Sequence, residues 1–118
     1  MKRTLDEIGM YAMAAKPHMQ LLGTTKKNQA LEAVANALNE KADYLIAENE
    51  KDMQAEKEAG MHQGLLDRLL LTKDRIAQMA EGLIQIAGLE DPIGEVLSMK
   101  KRPNGLLIGQ KRVPLGVV

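Results

Sequence analysis

The sequence predicts a mainly α-helical chain with a C-terminal β-hairpin. Two observations carry this. From Leu5 to Ala87, apolar residues recur at steps of three and four, the spacing of helices with one apolar face. From Glu95 the pattern becomes strand, turn and strand, with Arg102-Pro103-Asn104-Gly105 as the turn.

The first helix carries one stripe: Leu5, Ile8, Ala12, Ala15, Met19 and Leu22. Pro17 lies inside it and is expected to kink or end the helix near Lys16, because proline has no N–H and clashes with the preceding turn. Gly23 closes the segment, and Thr24-Thr25 suits an N-cap. The next helix has the cleanest face, formed by Leu31, Val34, Ala35, Leu38, Ala42, Leu45 and Ile46, with Val34 and Leu38 expected to be buried. Asn49 is expected to interrupt it. A charged helix over about 50–59 would then follow, with Gly60 at its C′ position. Leu65 to Leu71 reads as one or two helical turns. Thr72 caps a last helix with Ile76, Met79, Ala80, Leu83, Ile84 and Ala87 on one stripe, ended by Gly88. Leu89-Glu90-Asp91-Pro92-Ile93-Gly94 is a turn cluster.

The hairpin can be read residue by residue. Pro103 suits the second position of a type I turn, and Gly105 the left-handed residue of a three-residue bulged loop. A two-residue Asn-Gly loop would put Pro103 at a paired position, where it has no N–H to donate. The bulged register sets Arg102 opposite Leu106, Lys100 opposite Ile108, and Ser98 opposite Gln110. Lysine paired with aliphatics builds no one-sided core, so the ribbon is expected to project and to need a partner surface. Pro114-Leu115-Gly116-Val117-Val118 reads as the start of a buried strand, which predicts that the chain is a truncated piece.

The 118 residues suffice for one ordinary domain, and 45% are apolar. Two Tyr are the only aromatics, so any core is aliphatic and Met-filled. Net charge is zero but unevenly spread. Residues 1–95 hold 11 Lys/Arg against 16 Asp/Glu, a net −5; residues 96–118 hold five Lys/Arg and no acid. Opposite charge favours docking of the ribbon on an acidic surface. A nucleic-acid ribbon is disfavoured, since no aromatic stands among the basic residues to stack a base. The chain has no cysteine, which removes disulfides, thiolate metal sites and a cysteine nucleophile from these residues. The N-terminus, broken by Asp6 and Glu7, is no secretory signal, and no apolar run approaches a membrane span. A soluble, cytoplasmic chain is expected.

Little chemistry can be assembled from the residues alone. His18 and His62 stand apart from other metal-ligand types, which favours surface or packing roles. Asp67 and Arg68 could orient a ligand, but a local ion pair or cap is the simpler reading. The eight Met read as core filler. Gly105 to Gly109 lacks the Lys-Ser/Thr ending of a phosphate loop, and Gly116 does not make a dinucleotide fingerprint. Catalytic, cofactor-binding and metal-binding residues are all expected to be none.

Several motifs are familiar in this order and spacing: Lys27-Asn28-Gln29-Ala30-Leu31; Asn49 and Asp52; Leu66-Asp67-Arg68-Leu69 with Leu71-Thr72 and Arg75-Ile76; Leu89 to Val96; and Arg112 to Val118. Together they closely resemble the N-terminal part of the gamma-glutamyl phosphate reductase (glutamate-5-semialdehyde dehydrogenase) family, in the aldehyde dehydrogenase superfamily. The likeness covers essentially the whole chain, departing at Lys16–Gly23. It implies an N-terminal piece of a Rossmann-type α/β fold. Residues 1–93 would be helical cover of the cofactor domain, 94–113 an oligomerisation hairpin, and 114–118 the first strand of a parallel sheet. It implies a parent oxidoreductase that reduces L-glutamyl 5-phosphate with NADPH in proline biosynthesis, through a cysteine thiolate. That cysteine and the nicotinamide-binding residues have no match here. The 118 residues alone are therefore expected to be inactive, to bind no NADPH, and to form a homo-oligomer through the 94–113 hairpin. The alternative is a small helical interaction module with a basic ribbon; a reading frame that continues into a sheet domain with a cysteine separates the two.

Overall fold

The computed structural model describes residues 3–118. These form five helices and then two strands: α1 (Leu5–Gln20), α2 (Thr24–Glu40), α3 (Ala42–Glu58), α4 (Gln63–Leu69), α5 (Lys73–Ala87), β1 (Val96–Lys101) and β2 (Leu107–Lys111). They divide into two compact units. One holds Thr25–Leu89; the other holds the chain up to Thr24 together with Glu90–Val118.

In the unit of residues 25–89, α3 packs against α4 and α5. Among the described residues the buried apolar side chains are Ala35, Leu66, Ile76 and Ala80, and Ile76 is the large one that is fully covered. The turn between α2 and α3 falls at Lys41, with φ −102° and ψ 15°. Helical bonding runs across it, from Lys41 N to Ala37 O and from Leu45 N to Lys41 O. The bend thus costs a single residue's dihedrals, and no Gly or Pro marks it. Asn49 does not interrupt a helix, as its turn preference suggested. It lies buried in the middle of α3. Val34, expected in the core, is 51% exposed, and Leu38 is half-buried. The buried side chains lie on α2 (Ala35), α3 (Asn49), α4 (Leu66) and α5 (Ile76 and Ala80), while Leu31 and Leu38 on the α2 stripe are only partly covered.

The caps follow local chemistry. Gly60 has φ +80°, and Met61 N donates to Glu56 O while Gly60 N donates to Lys57 O, the pattern of a left-handed helix end. His62 Nδ1 accepts from Gly64 N at 3.1 Å and caps α4. Thr72 Oγ1 accepts from Arg75 N at 3.2 Å and caps α5.

In the other unit, α1 opens on a capping box: Thr4 Oγ1 accepts from Glu7 N, and Glu7 Oε2 accepts from Thr4 N at 2.8 Å. The helix runs through Pro17 to Gln20 instead of ending near Lys16. Proline in the last turn removes one donor only, and Leu21 and Leu22 still bond back to His18 and Met19. None of its described side chains is buried.

The hairpin adopts the expected register, with Lys100 facing Ile108 and Ser98 facing Gln110. Arg102 N donates to Leu106 O at 2.7 Å, Gly105 N to Arg102 O at 2.9 Å, and Gly105 has φ +89°. A bulge between Val96 and Ser98, not foreseen from the sequence, brings Val96 opposite Lys111. Residues 112–118 take no regular secondary structure.

Candidate functional site

Two hydrogen-bonded knots and one exposed ribbon stand out. The first knot lies between α4 and α5. The Asn49 carboxamide lies against the backbone of 69–71: Nδ2 donates to Leu69 O at 2.9 Å, and Oδ1 accepts from Leu71 N at 2.8 Å. This reproduces the pairing of a peptide group and satisfies two backbone groups at once. Arg75 completes the clamp. Its Nη1 donates to Leu70 O at 2.8 Å and also to Asp67 O, and its Nη2 meets the Asp67 carboxylate at 3.2 Å. Two side chains thus hold the carbonyls that α4 leaves unpaired at its C-terminus.

The second knot is the loop before the hairpin. Asp91 Oδ1 accepts from Ile93 N, and Asp91 Oδ2 accepts from the Thr24 hydroxyl, each at 3.0 Å. Gly94 N donates to Arg112 O, Arg112 N donates to Glu95 O, and Arg112 Nε meets the Glu95 carboxylate at 2.7 Å. These contacts extend the hairpin's pairing beyond its strands.

The ribbon itself is exposed on both strands, with only Ser98 half-buried. Arg102, Lys100 and Ile108 share one face. Lys101, Leu107, Met99 and Gly109 share the other, where Met99 covers Gly109 so closely that an added Cβ would stand 2.8 Å from its sulfur. Unpaired strand edges and apolar side chains beside basic ones suit a protein surface more than a small ligand.

The residues singled out from the sequence do not converge. His18 lies exposed in the last turn of α1, His62 caps α4, and Asp67 pairs with Arg75. Arg68 is exposed at the end of α4. Gly116, at φ +109°, has the Lys16 side chain beside it. Among the described residues no group of three His, Cys, Asp or Glu could hold a metal. Lys73 and Lys51 have their pKa values raised above the ordinary 10.5, first by hydrogen bonds and then by the charges of Asp43 and Glu48. Both are exposed ion pairs, at 2.8 Å and 2.5 Å, and neither sits in a cleft with a nucleophile.

No protein-family model matches the chain. Individual proteins do. The gamma-glutamyl phosphate reductase of Lachnospira eligens is 55% identical over 115 residues, 98% of this chain and 28% of that protein. That of Moorella thermoacetica is 54% identical over 110 residues, 93% of this chain and 26% of that protein. The chain is homologous to the N-terminal part of gamma-glutamyl phosphate reductase. Among solved structures, the gamma-glutamyl phosphate reductase of Thermotoga maritima matches with a TM-score of 0.80 and 32% identity over 95% of this chain and 27% of its own. The Saccharomyces cerevisiae reductase gives 0.79 and 28% identity, over 96% and 29%. The chain thus spans little more than a quarter of the length of these reductases.

The motifs on which the resemblance was read in the sequence fall on the two knots. Asn49, Asp67, Leu69 and Arg75 make the first, and Asp91, Ile93, Gly94 and Glu95 make the second. Sequence reading gave Asp67 a local ion pair or cap and Asn49 a helix break; the ion pair forms, with Arg75, and the break does not.

Proposed function

We propose that the chain serves as the N-terminal part of an oxidoreductase that reduces L-glutamyl 5-phosphate to L-glutamate 5-semialdehyde and phosphate with NADPH, in proline biosynthesis. The observation that carries this is 55% identity along 98% of the chain to a named gamma-glutamyl phosphate reductase. In this reading the enzyme is cytoplasmic and built on a Rossmann-type α/β domain. Residues 1–93 cover that domain, the 94–113 hairpin pairs between subunits, and 114–118 open the first strand of the parallel sheet. The described helices include none long and apolar enough to cross a membrane.

The chemistry assigns these residues a supporting part. An acyl phosphate is opened well by a thiolate, and a thioester accepts hydride from a nicotinamide. The sequence has no cysteine, so the nucleophile comes from outside these 118 residues. What this chain contributes is a braced helical layer and an exposed ribbon with edges ready for pairing.

A chimera tests the reading. The first 28% of the Lachnospira eligens reductase is replaced by this chain, and phosphate-dependent reduction of NADP by glutamate 5-semialdehyde is followed. The proposal expects turnover comparable to the parent enzyme. A chimera that melts cooperatively like its parent yet shows no turnover overturns it.

A further inference from the structure

Asn104 is the one asparagine followed by glycine; Asn28, Asn36, Asn39 and Asn49 precede Gln, Ala, Glu and Glu. It stands at the exposed tip of the hairpin. A Cβ placed on Gly105 would meet nothing within 4 Å, so no neighbour crowds the Asn104–Gly105 peptide. Asn104 Oδ1 accepts from Leu106 N at 3.2 Å. That bond folds the carboxamide back along the chain and draws electrons from its carbon. One contact opposes reaction: Gly105 N–H is engaged with Arg102 O at 2.9 Å. It is a bond of an exposed, two-stranded ribbon, and such ribbons open readily in water.

We propose that Asn104 is a site of spontaneous deamidation that ages the hairpin. In the opened turn, the Gly105 backbone nitrogen gives its proton to solvent base and attacks Cγ of Asn104. The new N–Cγ bond closes a five-membered succinimide, and the carboxamide nitrogen leaves as ammonia. Water then adds to either ring carbonyl and opens the ring to aspartate or isoaspartate. No oxidant or reductant takes part. Both products place a negative charge at the tip, close in sequence to Lys100, Lys101 and Arg102. The isoaspartyl product also routes the main chain through Cβ. That lengthens the three-residue loop and breaks the register that sets Lys100 against Ile108.

The test is peptide mapping of the intact chain during incubation at neutral to mildly alkaline pH, beside a free synthetic peptide of residues 100–112. A gain of one mass unit at Asn104 is expected, split into two chromatographic forms. Its rate should lie within about tenfold of the free peptide, as befits a turn that opens readily. Peptides carrying the other four asparagines should keep their mass, and Asn104→Gln should abolish the gain. Protection beyond that factor, faster conversion at another asparagine, or a gain persisting in Asn104→Gln overturns the proposal.

Discussion

Replacing Asn49 by alanine probes the clamp between α4 and α5. The side chain is 7% exposed and holds Leu69 O and Leu71 N at 2.9 and 2.8 Å. Truncation leaves both backbone groups without their partner, at about 1–3 kcal/mol each. Alanine returns about 0.5 kcal/mol of helix propensity. Water admitted from the nearby surface softens the loss further, so the net cost is about 1–4 kcal/mol. In a unit this small, each kcal/mol moves the melting temperature by about 4–8 °C, which predicts a fall of about 4–30 °C. Far-UV circular dichroism melts would measure it. Asn36→Ala and Asn39→Ala, on the exposed face of α2, serve as controls and should change stability by less than about 0.5 kcal/mol. Asn49→Asp adds a sign. A carboxylate can accept from Leu71 N but cannot donate to Leu69 O; the protonated acid can. Its deficit against wild type should be largest at neutral pH and shrink as acid protonates it. An Asn49→Ala protein that melts with the controls would refute the clamp.

Three further outcomes follow from the packing and the charges. Ile76, 1% exposed, should cost about 2–5 kcal/mol when cut to alanine, while Val34→Ala, on a half-exposed side chain, should cost far less in the same urea titration; equal costs would misplace the core. The Lys73–Asp43 pair raises the lysine's folded pKa above 10.5, so its stabilisation is fully present below that value and is lost as pH rises through the folded one. The stability gap between wild type and Lys73→Met should therefore hold below 10.5 and close above it; a gap unchanged on crossing would count against the pair. Light scattering should show the whole chain associating and a version ending at Gly94 not doing so, with salt failing to dissolve the association if backbone pairing and apolar burial hold it. Two monomers at the same concentration would remove the hairpin as an assembly element.

Local chemistry made much of this fold legible. Pro103, Asn104 and Gly105 set the turn, and the hairpin's register followed by counting. Gly60 and Thr72 marked helix ends because their conformational and hydrogen-bonding preferences act within a few residues. What failed to show depended on distant partners. Asn49 reads locally as a helix breaker; its amide is satisfied only once 69–71 is placed beside it. The bend at Lys41 has no marker residue, and Val34, on the apparently clean α2 face, is exposed. Arg75 gives no sign, from its neighbours alone, of reaching Asp67 and Leu70. The knots were visible as resemblance before they were visible as structure.

The central claim is that these residues brace and assemble an enzyme whose chemistry lies elsewhere. It is tested most directly by measuring phosphate-dependent NADP reduction with glutamate 5-semialdehyde in a host lacking its own reductase. The chain is assayed alone, and then co-expressed with the part of the Lachnospira eligens reductase that it does not match. No turnover is predicted from the chain alone, and turnover is predicted to appear when the two pieces are present together. Turnover by the chain alone, or a complementing piece that binds the chain in a folded complex and stays inactive, would contradict it.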